Sequence, residues 1–286
     1  MADQGPEIPT TGAAVHSLHP IIAHVHTGLE TYRVNATVPT GDWNRVMLTL
    51  RSWPKNDPWD RTFHVGVGPA VLLHGTTPRT NFTVVRDITA YTALFTNGTF
   101  QVWSRLESYV GDGIILDVSL DFYMDTNAHH PAAKAVVTPI TIGDIGGAGT
   151  YAWGNATFPA TTPSKVTLEL FTSGHTQDGE FWYQTGRTDV PTFRVYVDDQ
   201  PVAYVEALPY VYALIGFDTP AVDQAWWTVP MATDAAGVHL VTGEIPPYRA
   251  DLPAALAPLF TGHHLVRVVQ ETHAGYWPTS LNVLLD

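Results

Sequence analysis

A repeat constrains this chain more than any other feature of its sequence. Thr31-Tyr32 and Asn35-Ala36-Thr37, followed by Pro39, return as Thr150-Tyr151 and Asn155-Ala156-Thr157, followed by Pro159, at offsets of 119 to 120. Val46-Met47-Leu48-Thr49-Leu50 returns as Val166-Thr167-Leu168-Glu169-Leu170 at 120, a register that sets Asp60 opposite Glu180. Phe63-His64-Val65 matches Phe193-Arg194-Val195 at 130, so the second copy carries the longer loop after its acid. Asp87 to Gly98 matches Asp251 to Gly262 at 164, which sets Glu107 opposite Glu271. The strand ending Leu120-Asp121-Phe122 parallels the terminal Leu281-Asn282-Val283-Leu284-Leu285. Matches in one order along the chain predict two copies of one structural unit. We expect domains over 10–128 and 129–286, with His129-His130-Pro131-Ala132-Ala133 as the connector.

The repeated segments are rich in Val, Thr, Tyr and Phe, and their apolar and polar side chains alternate. That period of two predicts strands with one buried face, and 23 Gly with 22 Pro supply turns between them. The expected class is all-β, built as sandwiches or barrels. Helical signals are confined to Ala90–Phe95 after Asp87-Ile88-Thr89 and Pro253–Phe260 after Asp251-Leu252. Each predicts a turn or two of helix opened by an Asp or Thr cap.

Charge removes one class of partner. Only 14 Lys and Arg face 27 Asp and Glu, a formal charge of -13, so the surface repels phosphate backbones and nucleic acid is not expected as a partner. No run of about 18 apolar residues is present to span a bilayer. With no cysteine, chemistry must come from Asp, Glu, His, Ser or a metal.

Two loops carry the densest chemistry. Trp53-Pro54-Lys55-Asn56-Asp57-Pro58-Trp59-Asp60-Arg61 leaves one strand and enters the next, setting an acid between an indole and a guanidinium. The arginine favours an ionised Asp60, and Trp59 offers a face for a pyranose ring. The equivalent loop of the second copy, Ser173 to Tyr183, brings His175 and Glu180 beside Phe181, Trp182 and Tyr183. Desolvation by those rings would raise the Glu180 pKa and suit it as a proton partner for Asp60.

Ser173-Gly174-His175, Glu180-Phe181-Trp182-Tyr183, Arg194-Val195-Tyr196-Val197-Asp198 and Tyr276-Trp277 through Leu285 closely resemble the plant-type peptide N-glycanases, also called amidase A. Asp57-Pro58-Trp59-Asp60-Arg61 and Arg86-Asp87-Ile88-Thr89 resemble both that family and the bacterial glycanase F, whose Trp-Asp-Arg motif holds the essential aspartate. The resemblance implies two tandem jelly-roll sandwiches with the active site in the cleft between them. It also implies hydrolysis of the amide that joins an N-glycan to asparagine. By the same resemblance Asp60 is the principal catalytic acid, and Glu180 helps to hold the water and core sugar. Glu107 is the nearest candidate for a third acid. Ungapped alignment sets Arg105 at the family acid's place, so Glu107 is expected to reach it through a bulge. Trp59, Arg61, Trp103, His175, Trp182 and Arg194 are the expected substrate-binding residues.

The chain has thirteen histidines. His16, His19, His24 and His26 are close in sequence, and the last two share a strand face by their spacing. Copper monooxygenases are also built on tandem jelly rolls, but they use a methionine ligand and only four Met are present. We read the histidines as scattered surface residues and expect neither metal nor cofactor. A glycan-binding module without catalysis is the alternative function, since jelly rolls with Trp-rich loops bind sugars. The expected partner is an N-glycosylated peptide or protein, with no membrane and a monomeric chain. Met1-Ala2-Asp3-Gln4 lacks the features of a signal peptide, and we expect a secreted or periplasmic protein whose leader is absent here.

Overall fold

The computed structural model describes residues 15–55, 61–77, 81–95, 98–107, 113–124, 132–147, 149–174, 191–206, 210–212, 231–233, 239–241, 244–245, 247–272 and 274–286. The first eight strands are β1 His16–His26, β2 Glu30–Thr37, β3 Arg45–Pro54, β4 Thr62–Val67, β5 Ala70–Thr76, β6 Phe82–Asp87, β7 Thr99–Glu107 and β8 Ile114–Tyr123. They form two antiparallel sheets ordered β1-β8-β3-β6 and β2-β7-β4-β5. The second set comprises β9 Ala135–Gly147, β10 Tyr151–Phe158, β11 Val166–Thr172, β12 Thr192–Val197, β13 Gln200–Glu206, β17 Tyr248–Asp251, β18 Gly262–Gln270 and β19 Ala274–Leu285. Its sheets run β9-β19-β11-β17 and β10-β18-β12-β13, the same order. Eight strands divided this way are a jelly roll, so the chain holds two. Three short strands, β14 Tyr210–Tyr212, β15 Met231–Thr233 and β16 His239–Val241, make a small sheet ordered β14-β16-β15.

Strand registers carry the repeat residue by residue. Met47 pairs with Asp87 as Thr167 pairs with Asp251, and Asn35 pairs with Gln101 as Asn155 pairs with Leu265. Thr62 pairs with Glu107, and the carbonyl of Thr192 accepts the Glu271 N–H at 2.9 Å. The predicted helices form as 3-10 helices, Thr89–Phe95 and Ala254–Phe260. Only the first has the expected cap, with the Thr89 N–H donating to Asp87 Oδ1 at 2.9 Å. The second has no side-chain cap, because Asp251 accepts from Thr167 Oγ1 at 2.6 Å and pairs with Lys165 at 3.2 Å. Gly98 and Gly262 follow the helices with φ of 75° and 80°, a left-handed turn that only glycine enters without strain.

Each unit has its own core. In the first, Val46, Leu48 and Leu50 of β3 and Leu116, Val118 and Leu120 of β8 are fully covered, with Phe63, Val65 and Leu106 from the other sheet. In the second, Leu168, Phe193, Val268, Trp277, Leu281 and Val283 form the equivalent cluster. Burying each such side chain contributes ~1.5–3 kcal/mol. Alternation holds on β2 but fails on β4, β5 and β11, every residue of which is buried. These strands are covered on both faces, which a one-sided pattern does not anticipate.

By its internal contacts the chain divides into one unit of Met1–Gly68, Leu72–Ala132 and Tyr212–Ile245, and another of Pro69–Val71, Ala133–Val211 and Pro246–Asp286. The expected contiguous division at 128/129 therefore needs correcting, because a segment of the second half belongs to the first unit. Its end is anchored there. The Ile245 N–H donates to the His74 carbonyl at 2.8 Å, Glu244 bridges Gly75, and Arg86 pairs with Glu244 at 3.2 Å. No helix among the described residues is long and apolar enough to cross a membrane.

Candidate functional site

Four ionisable side chains gather where β7 ends beside β4 and β5. Glu107 is the last residue of β7 and is 1% exposed. Its cross-strand partner Thr62 opens β4, directly after Arg61. A carboxylate this deep requires compensating cations or donors. Arg105, two residues back on the same face, places Nη2 3.5 Å from Glu107 Oε1, and His64 Nε2 is 3.9 Å from that oxygen. His64 sits beside Arg105 in the register of β4 and β7. Behind it, His64 Nδ1 and His74 Nδ1 are 3.2 Å apart, so one ring donates the proton and the other accepts it. The rings lie 4.7 Å apart at 31°.

Burial pushes the His74 imidazole down to about 3, against a raising hydrogen bond to the Phe63 backbone. The ring is neutral at neutral pH and serves as a dipole behind His64. The edge of the group is fixed through the backbone. The Arg61 N–H donates to Thr77 Oγ1 at 2.9 Å, and the Thr77 N–H donates to the Arg61 carbonyl at 2.8 Å. The described end of the Trp59-Asp60-Arg61 loop is therefore tied to the strand that carries His74.

The expected residues divide into two groups. Asp60, Trp59, Glu180, His175 and Trp182 lie outside the described residues. Glu107 and Arg61 lie at the cluster just described. Glu107 reaches its buried place without the expected bulge, since β7 keeps unbroken register with both neighbours. Trp103 needs correction. It is 2% exposed and its indole N–H donates to the Gly68 carbonyl at 2.8 Å, so it packs the sandwich and offers no face to a sugar.

Arg194 stands in the second unit, where its Nε and Nη2 meet Glu271 at 2.7 and 3.1 Å and its guanidinium lies 5.6 Å from the Tyr204 ring centre. The hydrogen bond to Glu271 raises its pKa further. This pair is the repeat counterpart of His64 and Glu107, open to solvent where the first is buried. The reading of the histidines as surface residues fails for three of them, since His26, His64 and His74 are at most 1% exposed. Repeat alignment had marked the Phe63-His64-Val65 segment, but nothing in its pattern reveals that β4 is covered on both sides.

Motif residues near the second loop are explained by packing. A Cβ on Gly174 would lie 2.7 Å from Trp277 Cζ2. Trp277 is fully buried and meets Phe193 edgewise with ring centres 5.1 Å apart.

Fold and cluster together define a double jelly-roll protein with a buried acid at the end of an inner strand. Residues 26–204 match the family of peptide N-acetyl-β-D-glucosaminyl asparaginase amidase A, and the chain belongs to that family. No curated protein sequence matches. Among solved structures, PNGF-II is similar with a TM-score of 0.62 and 11% identity, over 94% of this chain and 65% of that one. This chain thus spans about two thirds of its length. PNGase F, a glycosylasparaginase from Flavobacterium meningosepticum, is similar with a TM-score of 0.60 and 16% identity, over 95% of each chain. At these identities the likeness is one of fold.

Proposed function

We propose that the protein is an amidohydrolase that cleaves the β-aspartylglucosaminyl amide of N-glycosylated peptides or proteins. Water adds across the side-chain amide: the carbonyl carbon gains the hydroxyl, the nitrogen takes the proton, and the C–N bond breaks. The glycan leaves as a glycosylamine and aspartate stays in the peptide. In this reading Asp60 activates the water, Arg61 orients the carbonyl, and Glu180 holds the water and core sugar. Glu107 is the third acid. A positioned carboxylate base and hydrogen bonds to the tetrahedral oxyanion each typically contribute about a hundredfold or more. The protein would work alone, secreted or in the periplasm.

Family membership supports the reaction class. The observation that carries the reading to residues is Glu107, a carboxyl almost wholly withdrawn from water between Arg105 and His64 and in register with the strand that Asp60-Arg61 enters. Such burial costs stability, and its retention at a loop-bearing strand end fits a functional acid. Incubation with an N-glycosylated peptide tests the proposal: the peptide should be released with aspartate in place of the glycosylated asparagine, read by its mass. Asp60→Asn should keep fold and binding and lose nearly all turnover. Full turnover by a folded Asp60→Asn protein would overturn the mechanism.

A non-catalytic glycan-binding role has one observation in its favour. Tyr151 and Trp153 of β10 and Tyr204 of β13 are at least half exposed, and strand register sets them on one sheet face. Glycopeptide bound but returned intact would select this second reading.

A further inference from the structure

Beside the same end of β7, where Glu30 pairs with Leu106, β1 changes course before it reaches β2. Its pairing with β8 shifts between Ile21 and His24, and Ala23 between them has a φ of 46°. Such an irregularity re-aims the side chains beyond it. Here His24 and His26 meet Glu30, the first residue of β2. His24 Nε2 lies 3.2 Å and His26 Nδ1 3.6 Å from Glu30 Oε1, and one donor atom from each residue falls within 4.8 Å of the others. His24 is stacked on Tyr32 with ring centres 3.6 Å apart at 9°.

His26 makes this more than a surface cluster. The residue is fully buried, and its Nε2 lies 2.8 Å from Ser104 Oγ on β7. Its Nδ1 is buried as well and makes no hydrogen bond among the described residues. With Nε2–H donating to Ser104, Nδ1 presents a lone pair towards the Glu30 oxygen. In that tautomer the two lone pairs face each other, an arrangement that a cation between them would reconcile.

We propose that His24 Nε2, His26 Nδ1 and Glu30 Oε1 form a binding site for a divalent transition metal of the zinc type. Ligands ~2.1 Å from a tetrahedral centre stand ~3.4 Å apart, and the distances from the two histidines to Glu30 bracket that edge. The third edge closes by a small swing of His24 along Tyr32. Two imidazoles and one carboxylate suit zinc, cobalt(II) or nickel, and lack the oxygen-rich shell of calcium or magnesium. Ser104 serves as the outer partner that fixes the His26 tautomer. The fourth position faces water, since Glu30 is 46% exposed.

The site would clamp β1 of one sheet to β2 of the other. Ser104 and Glu107 differ by an odd number of residues along β7, so their side chains leave opposite faces of the strand. The site thus lies on the face of β7 opposite Glu107; the role assigned to the metal is that of a clamp, and the inference stands independently of the proposed hydrolysis.

The test uses the untagged full chain after chelator treatment. Zinc chloride titrated by calorimetry should bind one equivalent, zinc should raise the melting temperature, and cobalt(II) should give the visible bands of a tetrahedral site. Glu30→Gln, at a position 46% exposed, should keep the metal-free melting temperature and weaken zinc binding by about tenfold or more. His24→Asn should do the same, and Ser104→Ala should weaken binding by ~10–100-fold through the tautomer. Absence of saturable zinc binding, or one equivalent bound equally well by Glu30→Gln, would overturn the proposal.

Discussion

Glu107 and Glu271 occupy equivalent strand ends, yet one is buried beside two histidines and an arginine while the other forms an exposed pair with Arg194. Duplication supplied two acids in different surroundings, and the proposed reaction uses only the first. Glu107→Gln should lower kcat by about a hundredfold with the fold intact, the usual scale for a lost acid-base group, while Glu271→Gln should leave turnover unchanged. Steady-state rates on a glycopeptide, with circular dichroism as the fold control, separate the two. Equal effects would mean that the asymmetry is not functional. His74 carries a second residue-scale consequence. Its folded pKa of about 3 lies below the ordinary 6.5. Above pH 6.5 the ring is neutral in both states and costs nothing. As pH falls from there towards 3, only the unfolded chain takes up the proton, so stability declines. At ~1.4 kcal/mol per pKa unit, the loss is on the order of several kcal/mol. Urea midpoints measured across that range should fall in the native protein and flatten in His74→Asn; parallel profiles would show that another group governs acid unfolding.

At the scale of elements, much of the architecture was legible because strand pairing and repeat offset are two expressions of one register. The matches of Val46 with Val166 and Asp87 with Asp251 predict that β3 and β6 pair as β11 and β17 do, and they do. The helices were legible for the same reason, although the second cap was not, since its aspartate had a closer partner in Thr167. Strand faces were less legible. Alternation reports one covered side, and it cannot show that His64 on the far side of β4 is covered too. Nor could spacing join Glu30 to His24 and His26, because the irregularity at Ala23 sets that meeting. Trp103 illustrates the reverse error, an aromatic read as a sugar platform that packs the core. Gly174 gives a test at this scale. Its Cβ would strike the fully buried Trp277 at 2.7 Å, whereas one on Gly146 would meet nothing within 4 Å. Gly174→Ala should cost ~1–3 kcal/mol by overpacking, and Gly146→Ala should be nearly neutral by comparison. Indistinguishable urea midpoints for the two variants would show that Trp277 yields more readily than its packing implies.

On the scale of the whole molecule, sequence order and structural membership part company in one place. The repeat places residues 212–245 in the second copy, as an insertion between the counterparts of β5 and β6, but contacts assign them to the first unit. No periodicity could disclose this, since the ties among the described residues include a backbone hydrogen bond to the His74 carbonyl, a bridge to Gly75 and the Arg86–Glu244 pair. The first two of those ties fall on β5, the last strand of its sheet, whose outer edge is a place where backbone groups need partners, and the third falls on Arg86 of β6. A fragment ending at Ala132 has all eight strands of the first jelly roll and should still form both sheets. It loses the partner of the His74 carbonyl and the covered Ile245 side chain, so β5 should be its weakest strand. Hydrogen exchange should show faster exchange of the β5 amides in the fragment than in the full chain, with β3 and β8 protected in both. The melting temperature of the fragment should be lower, and adding back a peptide of residues 212–245 should restore part of the β5 protection. Equal protection of β5 in fragment and full chain would show that the insertion rests on the first unit without supporting it.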